Sequence, residues 1–171
     1  MVDVPARAGR GAFLRALVLA THAPPTVAVT LVATLLGVSA GVTGGRVVLL
    51  CAAVLAGQAS IGWSNDWLDA DRDRAVGRTD KPVVQGGIGP ETLRSAALAA
   101  AAAAVVLSVV LGVVPGVLLL TLVGSGWAYN AGLKRTWLSW LGYVVGFGAL
   151  PAGVPGAAAT TPAGRAPKPV T

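Results

Sequence analysis

Four of the seven carboxylate side chains in this 171-residue chain fall within nine residues, Asn65-Asp66-Trp67-Leu68-Asp69-Ala70-Asp71-Arg72-Asp73. Asp80 follows shortly after, and long apolar stretches lie on either side. A chain that avoids acid elsewhere and gathers it in one short segment is suited to holding a cation there. Asp66, Asp69 and Asp73 are spaced i, i+3, i+7. A helix through them would set all three on one face, with Asp71 pointing elsewhere. Stacked carboxylates repel one another unless cations lie between them. Oxygen ligands of this kind suit Mg²⁺, which typically takes one or two carboxylates together with substrate phosphates. Asn65 adds a neutral amide oxygen. Arg74, Arg78 and Lys81 follow within reach of the same mouth and would carry the remaining charge of a phosphate group. The chemistry these residues favour is a metal-bridged diphosphate. The plainer reading is a solvated loop that only orients the chain in a membrane. Orientation, however, is governed by Lys and Arg, and Asp contributes little to it.

The elements that must position this segment are apolar. The chain is 54% hydrophobic and 12% charged, with a mean hydropathy of +0.72. Soluble domains carry about 25% charged residues. These values predict an all-α, polytopic transmembrane helix bundle of about five helices. The runs are residues 12–40, 46–64, 92–112, 117–132 and 137–158, each near the ~20 residues that cross a bilayer. The first run contains His22 and Pro24-Pro25, which predicts a kink or an interfacial first turn there. It is too long for a signal peptide, and further spans follow it. The second run carries Gln58, which would be unfavourable against lipid and should face the bundle interior or a wet cavity. Pro90 and Glu91 mark a helix start. Val113 to Gly116 reads as an uncharged turn. The organisation expected is a cytoplasmic segment 1–11, a transmembrane domain 12–158 with a polar Asp-rich loop 65–91, and a disordered Pro-rich tail 159–171.

The net charge of +6 does not point to nucleic acid, because the basic residues sit between apolar runs and form no aromatic-rich patch. With the N-terminus inside, ten of the thirteen Lys and Arg residues fall on the cytoplasmic side. The Asp-rich loop and Lys134 are then both cytoplasmic. The composition, rich in Ala, Gly, Val and Arg, is of a bacterial high-GC type, so the expected location is a bacterial plasma membrane. Cys51 lies alone in an apolar run and reads as a small buried residue. His22, also alone, reads as helix-embedded or interfacial rather than catalytic.

At the acidic segment the chain resembles the UbiA superfamily of intramembrane prenyltransferases. The family signature Asn-Asp-x-x-Asp-x-x-x-Asp matches Asn65, Asp66, Asp69 and Asp73. The family's downstream Arg, Arg/Lys-Pro and Gly-x-Ile/Val match Arg78, Lys81-Pro82 and the stretch Gln85 to Ile88. Tyr129 and Lys134 are similar to a Tyr/Lys segment at the end of the fourth helix. The resemblance spans roughly residues 12–155. It implies Mg²⁺ held by Asp66, Asp69 and Asp73, which would be the catalytic carboxylates. Asn65, Arg74, Arg78, Lys81, Tyr129 and Lys134 would bind the diphosphate. An interfacial aromatic is the alternative for Tyr129. The implied reaction transfers a prenyl group from a prenyl diphosphate to an aromatic or other small lipophilic acceptor.

Family members have about nine helices and a second Asp-rich motif, whereas no carboxylate follows Glu91 here. The resemblance therefore implies the N-terminal half of the fold, expected to be inactive alone unless it associates with another copy or a second half. A phosphoalcohol transferase is disfavoured, because its signature needs an Asp ahead of the segment and only Asp3 precedes Asn65. The non-enzymatic alternative is a membrane protein that binds metal, anionic lipid or isoprenoid through its cytoplasmic loop.

Overall fold

The computed structural model describes residues 9–159. Residues 1–8 and the tail from Thr160 onward lie outside the described residues, as do the expectations placed on them. The described chain is all-helical: α1 (Arg10–Leu19), α2 (Ala23–Ser39), α3 (Gly45–Leu68), α4 (Ala70–Ala75), α5 (Pro90–Leu111), α6 (Val113–Ala131) and α7 (Ser139–Ala159), with a 3-10 turn at Leu133–Arg135. Helices α3, α5 and α6 are each long and apolar enough to cross a membrane, and the bent pair α1–α2 adds a fourth span if it counts as one. Helix α7 packs on α6 and α2.

The first apolar run divides as the sequence suggests, but the break falls just ahead of the prolines. Helices α1 and α2 meet at 65°. His22 occupies the joint with a left-handed backbone, φ 54°. Pro24 and Pro25 lie in the first turn of α2, where a missing N–H costs nothing. The Thr26 hydroxyl donates to the Thr21 carbonyl at 2.7 Å, and the Trp63 indole donates to the Leu17 carbonyl at 2.9 Å. The bend is thus tied both to its own helix and to α3. At Gly62 the backbones come so close that a Cβ would overlap the Thr21 carbonyl. Gly62→Ala is accordingly expected to destabilise the protein by ~1–3 kcal/mol, the usual range for overpacking. Thermal unfolding in detergent would show it, and an unchanged midpoint would mean the bend can yield.

The turn expected at 113–116 is narrower than that. Gly112 alone reverses the chain, at φ 118°, and α6 has begun by Val113 with Pro115 in its first turn. A left-handed backbone suits glycine, which has no Cβ to clash.

Two apolar clusters hold the bundle. One joins α2, α3, α5, α6 and α7 through residues such as Ala33, Leu50, Leu111, Leu119 and Leu150. The other lies at the acidic end and joins α1 (Ala16) to Ala70, Val83, Ile88 and Leu93. The 76–89 segment is therefore not a free polar loop. Val83 and Ile88 are buried and pin it beneath α1.

Candidate diphosphate site

The acidic segment stays nearly helical past the end of α3. The Asp69 N–H donates to the Asn65 carbonyl at 3.0 Å, and the Asp73 N–H to the Asp69 carbonyl at 2.8 Å. One face is kept across the join between α3 and α4. Asp66, Asp69 and Asp73 are 1%, 6% and 6% exposed. The Asp71 side chain is fully exposed and pairs with Arg74.

Basic groups from three separate parts of the chain meet these buried carboxylates. The Lys81 ammonium lies 2.9 Å from Asp66 Oδ1 and 2.7 Å from Asp73 Oδ2, and Lys81 is itself 7% exposed. Its position follows from the pinned loop. Val84 and Gln85 N–H groups donate back to the Lys81 carbonyl, and Gly87 N–H donates to that of Pro82. His22 Nε2 lies 2.9 Å from Asp66 Oδ1. Lys134, in the 3-10 turn, pairs with Asp69 Oδ2, and Arg135 lies 3.5 Å from Asp69 Oδ1. Asn130 on α6 fastens that helix to α3, donating at 2.8 Å to both the Ile61 carbonyl and Ser64 Oγ.

Of the nine expected site residues, the structure brings Asp66, Asp69, Asp73, Lys81 and Lys134 together. Asn65 and Tyr129 line the adjoining cavity. Arg74 and Arg78 stand outside the cluster, held by Asp71 and Asp80 respectively on the exposed surface. His22, read from the sequence as helix-embedded or interfacial, sits on Asp66, and Asn130 and Arg135, which the sequence does not single out for the site, also reach it. For His22 a signal was present: a lone polar residue where an apolar run must break before two prolines.

Burial opposes ionisation of Asp69, but the hydrogen bond and charge of Lys134, with help from Lys81 and Arg72, hold its pKa below the ordinary value. Burial likewise opposes the charge on Lys81, yet its bonds to Asp73 and Asp66 raise its pKa above the ordinary lysine value. The depressed Asp69 stabilises the fold above its unfolded pKa and loses that contribution as pH falls below about 4. The raised Lys81 stabilises it below about pH 10.5 and loses that contribution as pH rises further. Thermal midpoints measured from roughly pH 3 to 11 should fall at both ends. A flat profile would mean these pairs contribute nothing net.

Beneath the carboxylates, α2, α3, α6 and α7 line a partly open cavity of about 310 Å³. His22 and Asn65 line it, so the cavity adjoins the acidic cluster. Tyr129, Tyr143 and Phe147 form an aromatic wall. The Tyr129 and Tyr143 rings meet edge to face at 5.2 Å, and Tyr143 stacks with Phe147 at 6.4 Å.

A model of the UbiA prenyltransferase family matches residues 16–168. The chain belongs to the UbiA prenyltransferase family. No curated protein and no solved structure gives a significant match. The family assignment and the three apolar helices make this an integral membrane protein of prenyltransferase type.

The family implies Mg²⁺, and the donor set can be tested against it. The donors are carboxylate oxygens, as Mg²⁺ requires. Two of them, on Asp66 and Asp73, already share one cationic group, the Lys81 ammonium. Asp73 Oδ2 is buried, with the Lys81 ammonium 2.7 Å away and no further partner among the described residues. Asp69 is turned toward Lys134, and among the described residues no three such groups converge on a single point. The Asp66 and Asp73 carboxylates, which already converge on one cationic group, have the chemistry to hold a divalent cation, with Asp69 facing Lys134 beside them.

Proposed function

We propose that this UbiA family member binds a prenyl diphosphate with its charged head at Asp66, Asp69 and Asp73 and its first isoprene units in the apolar cavity. It then transfers the prenyl group to a lipophilic acceptor. The observation that carries this reading is the set of buried, cation-compensated carboxylates next to an aromatic-walled cavity. Asp66 and Asp73 would hold Mg²⁺, which when bound supplies positive charge to stabilise the departing diphosphate. Lys81, Lys134 and Arg135 lie close enough to offer further charge to phosphate oxygens. The aromatic faces of Tyr129, Tyr143 and Phe147 suit a developing allylic cation, and the apolar walls keep water from it. By the distribution of Lys and Arg, the acidic site faces the cytoplasm.

The test is Mg²⁺-dependent binding of a labelled prenyl diphosphate to detergent-solubilised protein, comparing wild type with Asp66→Ala/Asp69→Ala. Saturable binding that needs both metal and aspartates is the expected result. Equal binding by the double variant would remove the proposal. A binding role without turnover is the second reading, favoured by the Lys81 ammonium already standing between the Asp66 and Asp73 carboxylates. Adding candidate acceptors to the same preparation and looking for prenylated product separates the two.

A further inference from the structure

One polar side chain in the cavity has no part in the site described so far. Gln58 lies on α3 seven residues before Asn65, two helical turns or roughly 10 Å deeper along the axis. It lines the cavity together with Val29, Leu122 and Phe147. Most other polar side chains in the wall are engaged. Thr26 donates to the Thr21 carbonyl, Ser125 to that of Leu122, and Asn130 to that of Ile61, while His22 is on Asp66. The Gln58 carboxamide has no hydrogen-bond partner among the described residues. A free carboxamide at membrane depth is unfavourable unless something polar comes to meet it.

We propose that Gln58 selects the acceptor by hydrogen-bonding an uncharged hydroxyl or carbonyl at the far end of a ring-bearing lipophilic molecule. This rests on the prenyl-transfer reading and names the acceptor class within it. A primary amide both donates and accepts, so it can meet either group. The hydrocarbon tail of the donor could not satisfy it. The depth is also suitable: a ring system spanning those two turns would place its reacting atom near the level of Asn65, beside the diphosphate head. The charge of the wall decides against an acidic acceptor. Among the described lining residues there is no Lys, Arg, Asp or Glu, and the imidazole of His22 is already on Asp66. An aryl carboxylate held in these walls would lack a cation and be strongly disfavoured.

Saturable binding of 1-naphthol and of 1-hydroxy-2-naphthoate to the full 171-residue chain in detergent tests this, with empty micelles subtracted. Wild type should bind the naphthol and discriminate against the carboxylate. Gln58→Leu should weaken naphthol binding by about tenfold, the loss of one hydrogen bond in an apolar site. Gln58→Met, a second apolar replacement of similar length, should do the same. Thermal midpoints of both variants should not fall below that of wild type, because an apolar side chain at this depth costs less than an unpartnered amide. Naphthol affinity unchanged in both variants, or equal affinity of wild type for the two probes, would overturn the proposal. Absence of prenyl diphosphate binding in wild type would instead overturn the prenyl-transfer reading, and is scored separately because the naphthol arm needs no donor.

Discussion

Lys81→Met is expected to destabilise the detergent-solubilised protein by ~3–5 kcal/mol, the range seen when one partner of a buried ion pair is removed. The ammonium stands between Asp66 and Asp73, and all three side chains are nearly inaccessible to water. Without it two buried negative charges remain, and among the described residues only Asp66 keeps another side-chain partner, in His22. Lys81→Arg should rescue poorly, because a planar fork cannot replace a compact ammonium between two carboxylates. If the lysine occupies the position that a metal would take, Mg²⁺ should stabilise the methionine variant more than wild type. A metal concentration of 100 times its Kd would return about 2.7 kcal/mol. Thermal midpoints with and without Mg²⁺ measure both effects. A loss below about 1 kcal/mol would show that the pair contributes little net energy. Equal Mg²⁺ responses in the two proteins would show that lysine and metal do not compete.

The parts of this arrangement that could be read from the chain are those set by local pattern. Apolar runs of span length, the glycines between them and the i, i+3, i+7 aspartates specify helices and one acidic face with no tertiary information. The Asp71 side chain points outward in the structure as that spacing requires. Gln58 also lies where its cost against lipid would put it, in a cavity wall. The partners of the aspartates were less legible. Arg74 and Arg78 are close in sequence to the carboxylates, yet each is taken by a nearer exposed acid, Asp71 or Asp80. Lys134 and Arg135 come from 65 and 66 residues away through the turn after α6. His22 arrives through a left-handed joint that no periodicity encodes. Such pairings depend on how helices dock, and neighbourhood in sequence is a poor guide to them.

The four aspartates of the segment make a controlled comparison, because burial divides them three to one. Asp66→Asn keeps the shape of the side chain and can still hydrogen-bond His22, but it removes the charge facing Lys81. Prenyl diphosphate binding in Mg²⁺ should fall roughly ten- to hundredfold, equivalent to one charge-assisted interaction of about 1.5–3 kcal/mol. Asp73→Asn should behave in the same way, since its carboxylate faces the same ammonium. Asp71→Asn breaks only an exposed pair with Arg74 and should leave binding within about twofold, as surface pairs contribute little. Titrations of the three variants under identical conditions would decide whether position or mere acidity matters. If Asp71→Asn lost as much affinity as Asp66→Asn, the segment would be acting as a diffuse acidic surface, and the buried face would have no special role. Loss confined to the buried positions would place the ligand against the interior face of α3 and α4, directly above the cavity that contains Gln58.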